Sequence, residues 1–253
     1  MPNVSAAMAA RDRAVLTGLY LSKFDAVGLA ALGFASFTEA FNVLGYALHA
    51  SPASLKNYRD EFDPYFPNPR QGWHKRELRP YCKSILDTFS GLDLDAMTAR
   101  VRGNLQDVQG DSADDVEPAD DADSTAFAKR LVTGAAAEQY FRAKQSQLTE
   151  FAGHEIEDTT QLGCGYDFRL HPPLSSAFLA VEVKGLAEKS GSVGLTAKEW
   201  RVATDLRSRF FLFVVKNFRD RPSHTIHCDP VAGPLAFERR ERLVVQVIWS
   251  AQV

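Results

Sequence analysis

FLAVEVKG, residues 178–185, decides how the second half of this chain folds. In an extended strand, successive side chains point to opposite faces. Val181 and Val183 then face one way, and Glu182 and Lys184 the other. The first face suits a core. The second sets a carboxylate beside an ammonium, an arrangement costly to bury unless the groups are paired or used. Asp167 lies 15 residues earlier in another strand-like run, YDFRL at 166–170. The intervening HPPLSS, 171–176, reads as a turn. Two antiparallel neighbours would bring Asp167 beside Glu182.

The rest of the second half alternates in type. Residues 127 to about 151 read as a helix, with Leu131, Ala135, Tyr140 and Phe141 among its apolar positions. Thr196 and Glu199 form a capping box that opens a helix through Leu206. RFFLFVVKNF at 209–218 and RLVVQVIW at 242–249 read as strands. Helix, strands, helix, strand is an α/β order with a mixed sheet flanked by helices.

Asp167, Glu182 and Lys184 have a joint chemical logic. Two carboxylates suit Mg²⁺, a hard cation that prefers oxygen and keeps several waters, with Mn²⁺ as a substitute. Such a cation polarises a phosphate ester. A neighbouring lysine orients or deprotonates the attacking water, or stabilises negative charge. The carbonyl of Val183 is a further candidate ligand.

GYDFRL followed by VEVKG resembles the D…E-x-K core of the PD-(D/E)XK phosphodiesterase superfamily. TGxxxEQYF at 133–141, GCGYDF at 163–168, VEVKG at 181–185 and LTAKEW at 195–200 also stand in the order seen in an uncharacterised domain family assigned to that superfamily. That family often accompanies restriction and phage-defence proteins. The resemblance covers roughly residues 130–218, and Tyr166 stands where the superfamily motif has proline. It implies a restriction-endonuclease-like fold, with Asp167 and Glu182 as metal-binding acids and Lys184 as the catalytic lysine. It adds Glu138, an acid on the first helix that reaches the metal in many members. Glu199 reads as a helix cap rather than a ligand.

The first half reads as helical and helix-turn-helix-like. Residues 11–32 place apolar side chains at near-helical spacing. Ser36 and Glu39 form a second capping box, and Ser51 before Pro52 starts a helix to about Phe62. Ser54, Lys56, Asn57 and Arg59 are candidate readers of a DNA groove. In the segment PYFPNPRQGWHKRELRP, 64–80, the residues Arg70, Trp73, His74, Lys75, Arg76 and Arg79 suit phosphate contacts and stacking.

Between the halves, 106–125 is acidic and reads as a flexible linker. The expected organisation is a helical recognition domain at 1–105, that linker, and a nuclease domain at 126–253. The net charge of −3 does not argue against DNA, because residues 101–125 carry one basic and eight acidic side chains while the flanks sum to +4. With 45% hydrophobic residues and no run of 18 apolar residues, a cytoplasmic protein without a membrane span is expected. Cys82, Cys164 and Cys228 form neither a CxxC pair nor a zinc spacing. HTIHC at 224–228 would point its two histidines to opposite faces of a strand.

The resulting expectation is an Mg²⁺-dependent DNA endonuclease of the restriction or phage-defence type. It would act on double-stranded DNA as a homodimer, or beside defence-system partner proteins. The alternatives are a DNA-repair or structure-specific nuclease, a catalytically silent DNA-binding protein with a nuclease fold, and a subunit active only within a larger complex.

Overall fold

The computed structural model describes residues 8–70, 72, 76–109, 124–173 and 177–241. Trp73, His74, Lys75, most of the 106–125 stretch, part of the 171–176 turn and the strand expected at 242–249 lie outside the described residues.

The first half is helical throughout. Helix α1 (Ala10–Ala31) carries nine consecutive buried residues, 14–22, so it has no polar face along its middle and sits at the centre of the helical part. It is long and apolar enough to cross a membrane, but that surface is largely spent on packing, with 61% of the apolar window buried in the protein. Helix α2 (Phe37–Ala47) starts at Ser36, whose hydroxyl accepts from Glu39 N at 3.1 Å. The Glu39 carboxylate reaches back to Ala35 N rather than to Ser36, so only half of the expected box forms. Helix α3 (Pro52–Phe62) starts at Ser51 with Pro52 in its first turn, as read from sequence. Helices α4 (Pro80–Phe89) and α5 (Leu94–Gln109) complete this part, and α5 continues into the start of the expected linker.

Helix α6 (Ser124–Lys144) joins the two halves. One face meets α2, where Tyr46 and Tyr140 stand edge to face at 5.4 Å and Lys129 Nζ lies 2.8 Å from the buried Glu39 carboxylate. Asn42 Nδ2 donates to the carbonyls of Phe218 and Asp220, each at 2.8 Å, tying α2 to the loop at the far end of the sheet. A single apolar core runs from α1 through α6 into the sheet.

That sheet is mixed. Strands β1 (Glu155–Asp158), β2 (Phe168–His171) and β3 (Leu179–Gly185) are successive antiparallel neighbours. Helix α7 (Ala197–Leu206) then crosses over to β4 (Phe210–Lys216), parallel to β3, and β5 (Ser223–Cys228) closes the edge antiparallel. β4 is buried along six of its seven residues, which explains its unbroken apolar sequence. β1 and β5 were not anticipated from the sequence; both are short and mostly polar. His224 and His227 do lie on β5, and His224 is spent on Tyr140, whose hydroxyl is 3.1 Å from its Nδ1.

β3 alternates as expected. Val181 and Val183 enter the large core with Phe168, Phe211 and Phe213. Ala180 packs with Tyr166, Ala203 and Phe210 in a second cluster beneath α7. Gly185 ends the strand where a Cβ would meet Thr133 O at 2.8 Å, so α6 can approach β3 only over a glycine.

Candidate active site

The antiparallel register pairs Phe168 with Val181, which sets Asp167 opposite Glu182. Asp167 stands just before β2, yet its backbone continues the ladder. Its N–H donates to Val181 O at 3.0 Å, and its carbonyl accepts from Thr159 N at 2.9 Å. Gly165, at φ +87°, provides the left-handed turn that delivers the chain to this position against Val202 and Lys198 of α7.

The Asp167 carboxylate crosses to β3, where Oδ2 accepts from Val183 N at 2.7 Å. Glu182, on the same face and only 4% exposed, holds Lys184 Nζ at 2.5 Å through Oε1. Lys184 Nζ also donates to Glu199 Oε2 at 2.9 Å. Glu199 closes the α7 capping box, its carboxylate accepting from Thr196 N at 3.0 Å while the Thr196 hydroxyl accepts from Glu199 N at 3.3 Å. Glu138 joins electrostatically from α6, its charge felt by both Asp167 and Glu182. Asp167 and Glu138 are partly exposed as residues, while Glu182 is buried.

Four carboxylates therefore crowd one ammonium. Burial and then the charge of Glu138 push Asp167 up; burial and then Asp167 push Glu182 up; burial and then Glu182 push Glu138 up. For Lys184, burial alone would depress the ammonium, but Glu182, Glu199 and Asp167 outweigh it and hold the pKa above its ordinary value. Lys184 is thus a fixed cation, suited to orienting water and stabilising negative charge. Of the roles that the sequence left open for it, proton acceptance is the one this environment opposes.

Among the described residues, no three His, Cys, Asp or Glu side chains converge as a ready set of metal ligands. The donor chemistry nevertheless fits a hard divalent cation: Glu138, Asp167 and Glu182 offer only oxygen, and the cost of keeping them charged side by side, which raises their pKa values, is one that a bound cation would relieve. Val183 contributes its N–H to Asp167, while its side chain belongs to the core.

Three of the arginines expected to read DNA are engaged within the protein, while Lys56 and Asn57 face outward as read. Arg59 is buried, not outward-facing; its guanidinium lies 5.0 and 4.8 Å from the Phe37 and Phe41 ring centres and bonds Asp60. Arg70 clasps Asp63 through Nε at 2.9 Å and Nη2 at 2.8 Å, and also pairs with Asp25, a kink residue in α1. Arg79 pairs with Glu61 through Nε at 2.7 Å and packs on Tyr58 and Tyr81. These acids, Asp60, Glu61 and Asp63, are the sequence neighbours that compete for the arginines. Arg76 lies 3.7 Å from Glu61. Ser54 bonds the cap residue Ser51, Lys56 is exposed but pairs with Asp60 at 2.6 Å, and Asn57 is exposed.

Residues 135–227 match the family model described as Protein NO VEIN, C-terminal. The matched segment runs from α6 to β5 and contains Glu138, Asp167, Glu182, Lys184 and Glu199, so every acid around the lysine falls inside it. It covers nearly the same stretch as the ordered motifs. No curated protein and no solved structure matches the chain.

The sequence reading missed the second role of Glu199. The capping box was legible in LTAKEW, but strand β3 and helix α7 meet only in three dimensions. The available signal was topological: the helix after an E-x-K strand crosses over the face that carries the lysine.

Proposed function

We propose that the protein is a metal-dependent nuclease of the PD-(D/E)XK type that hydrolyses DNA phosphodiesters, in a cytoplasmic restriction or phage-defence setting. One observation carries this reading: Asp167 and Glu182 stand opposite each other on adjacent strands, beside a lysine that its surroundings keep charged.

In this reading Asp167, Glu182 and Glu138 would hold Mg²⁺ or Mn²⁺, with the Val183 carbonyl as a further candidate ligand. The bound cation would supply Lewis-acid polarisation of the phosphate. Hydrolysis adds water across a P–O bond, leaving one phosphate monoester and one hydroxyl. The Lys184 ammonium faces the negative charge that grows on the phosphoryl oxygens and donates a hydrogen bond there or to the attacking water. Its two carboxylate anchors keep it in place before substrate arrives, so little reorganisation is needed at the moment of reaction.

The test is cleavage of unmodified, methylated and hydroxymethylated duplexes in parallel, with Mg²⁺ or Mn²⁺. Wild type should cut at least one of them. Lys184→Ala should lose at least roughly 10²–10³-fold in rate, as when a preorganised charge-stabilising donor is removed, while keeping its fold. Cutting by Lys184→Ala at the wild-type rate would remove Lys184 from the chemistry.

A second reading is favoured by the internally paired arginines. Arg59, Arg70 and Arg79 are engaged within the helical part, so these three are not free to meet DNA phosphates without giving up their acids. The grip on double-stranded DNA would then come from a second copy of the chain or from a defence-system partner. This reading predicts weak cutting by the isolated chain and restored cutting when the partner is added.

A further inference from the structure

We infer that Glu199 is the positioning residue of Lys184: its carboxylate, locked by the first turn of α7, fixes the ammonium in one orientation beside Glu182. Only the consequence for rate rests on the nuclease reading.

A capping glutamate needs only the backbone N–H of the cap residue, and it ordinarily does that work in water. Glu199 is only 8% exposed and does more. The oxygen that accepts from Thr196 N also accepts from Lys184 Nζ at 2.9 Å. Glu182 alone would tether the lysine from two residues away on the same strand, leaving a long side chain free to swing about one contact. Glu199 adds an anchor from a different element, set by the helix start. An ammonium has three donors. With Glu182 and Glu199 each taking one, a single donor remains. The lysine side chain keeps 24% exposure, so that donor has access to solvent or substrate.

Glu199 does not belong with the acids that would hold a cation. Its carboxylate is already shared between a backbone N–H and Lys184. It is the link through which the capping box of α7 sets the geometry of β3.

The test uses the full chain with ¹⁵N at the lysine Nζ atoms, the Lys184 resonance being identified by its loss in Lys184→Arg. Wild type should show Lys184 as a slowly exchanging ammonium. Glu199→Gln keeps an oxygen for Thr196 N but lacks the charge, and should lose that protection. Glu199→Asp, which retains the charge but withdraws it, should lose it too, and serves if the glutamine variant does not fold. Thr196→Ala removes the hydroxyl half of the box and keeps the backbone N–H of residue 196 that holds the Glu199 carboxylate. It should lower Tm by roughly 2–4 °C and leave the Lys184 signal intact. In cleavage, Glu199→Gln should lower kcat by about tenfold or more with KM unchanged, because a misplaced catalytic group costs rate rather than binding.

An unprotected Lys184 in wild type, or unchanged protection in folded Glu199 variants, overturns the inference. Loss of protection in a chain whose wild type cuts no DNA upholds the positioning role and counts against the nuclease reading alone.

Discussion

Among the described residues, each buried acid of the helical part meets a cation of its own, whereas on the sheet Glu182 and Glu199 share Lys184 and add their charge to that of Asp167 and Glu138. Glu39 meets Lys129, Glu61 meets Arg79, and Asp63 meets Arg70. These pairs hold helices and loops in register, and their arginines are shielded by aromatic rings. At Asp167, Glu182 and Glu138 the carboxylates instead raise one another's pKa. Balanced charge is what a structural network requires; the carboxylate cluster lacks that balance, and the proposed metal and nuclease reading rests on the difference. The contrast separates two sets of ionic residues that look alike in the sequence.

The largest expected effect tests the balanced side. Among the described residues, Arg70→Ala leaves buried Asp63 with the Ser22 hydroxyl, 2.8 Å away, as its one side-chain partner. Removing one member of a buried pair costs about 3–5 kcal/mol. The lower end is expected, because the Arg70 side chain is 20% exposed and water can partly replace it. Urea denaturation should show a lower midpoint at constant slope. A loss below about 1 kcal/mol would mean that the pair is not structural.

Next comes the unbalanced side. A divalent cation that binds only the folded chain stabilises it by about 2.7 kcal/mol at a hundredfold excess over Kd. Thermal melts in Mg²⁺ or Mn²⁺ should rise accordingly for wild type and for Arg70→Ala. Asp167→Asn should lose the shift. Its amide oxygen can still accept from Val183 N, so in the absence of cation it should melt higher than wild type, one repulsive charge having been removed. A flat cation titration of wild type would count against the metal assignment.

Much of this arrangement was legible in the sequence because strand alternation is local. Glu182 and Lys184 share a face by spacing alone, and Ser51, Pro52 and Thr196 mark helix starts through their own backbone chemistry. The polar edge strands β1 and β5 were missed because they lack apolar alternation; partners in the sheet define them. Arg59 was misread for a related reason. Its helix position suggested an outward side chain, but Phe37 and Phe41 of α2 close over it, a contact that helix spacing does not disclose. Glu199 shows the same limit from the opposite side: its cap was read, and its lysine was not.

The acid response gives a smaller test of the balanced side. Burial alone would raise the Glu61 pKa, but the Arg79 side chain and N–H, with Arg76, outweigh it and hold it below the ordinary 4.5. A depressed folded-state pKa stabilises the protein above the unfolded value, and this stabilisation is lost as pH falls through the folded value. Asp60 shifts in the same direction under Lys56 and Arg59. Stability should therefore begin to fall below about pH 4.5, and Arg79→Gln should reduce the part of that fall due to Glu61. The same acid slope in Arg79→Gln as in wild type would show that Arg79 does not set the Glu61 titration.

The smallest expected effect is at Lys56. Its side chain is 54% exposed, and its pairing with Asp60 is an i,i+4 contact on the surface of α3. Exposed pairs of this kind contribute roughly 0–1 kcal/mol, so Lys56→Ala should change stability by no more than about 0.5 kcal/mol. Its value lies in the DNA assay. A lysine that neutralises a duplex phosphate contributes about 0.9 to the slope of log K against log salt. Because Asp60 already takes this charge, the slope for any DNA bound by the protein should not change in Lys56→Ala. A slope reduced by nearly one unit would return α3 to the DNA footprint, and the helical part would then be a reader as well as a scaffold.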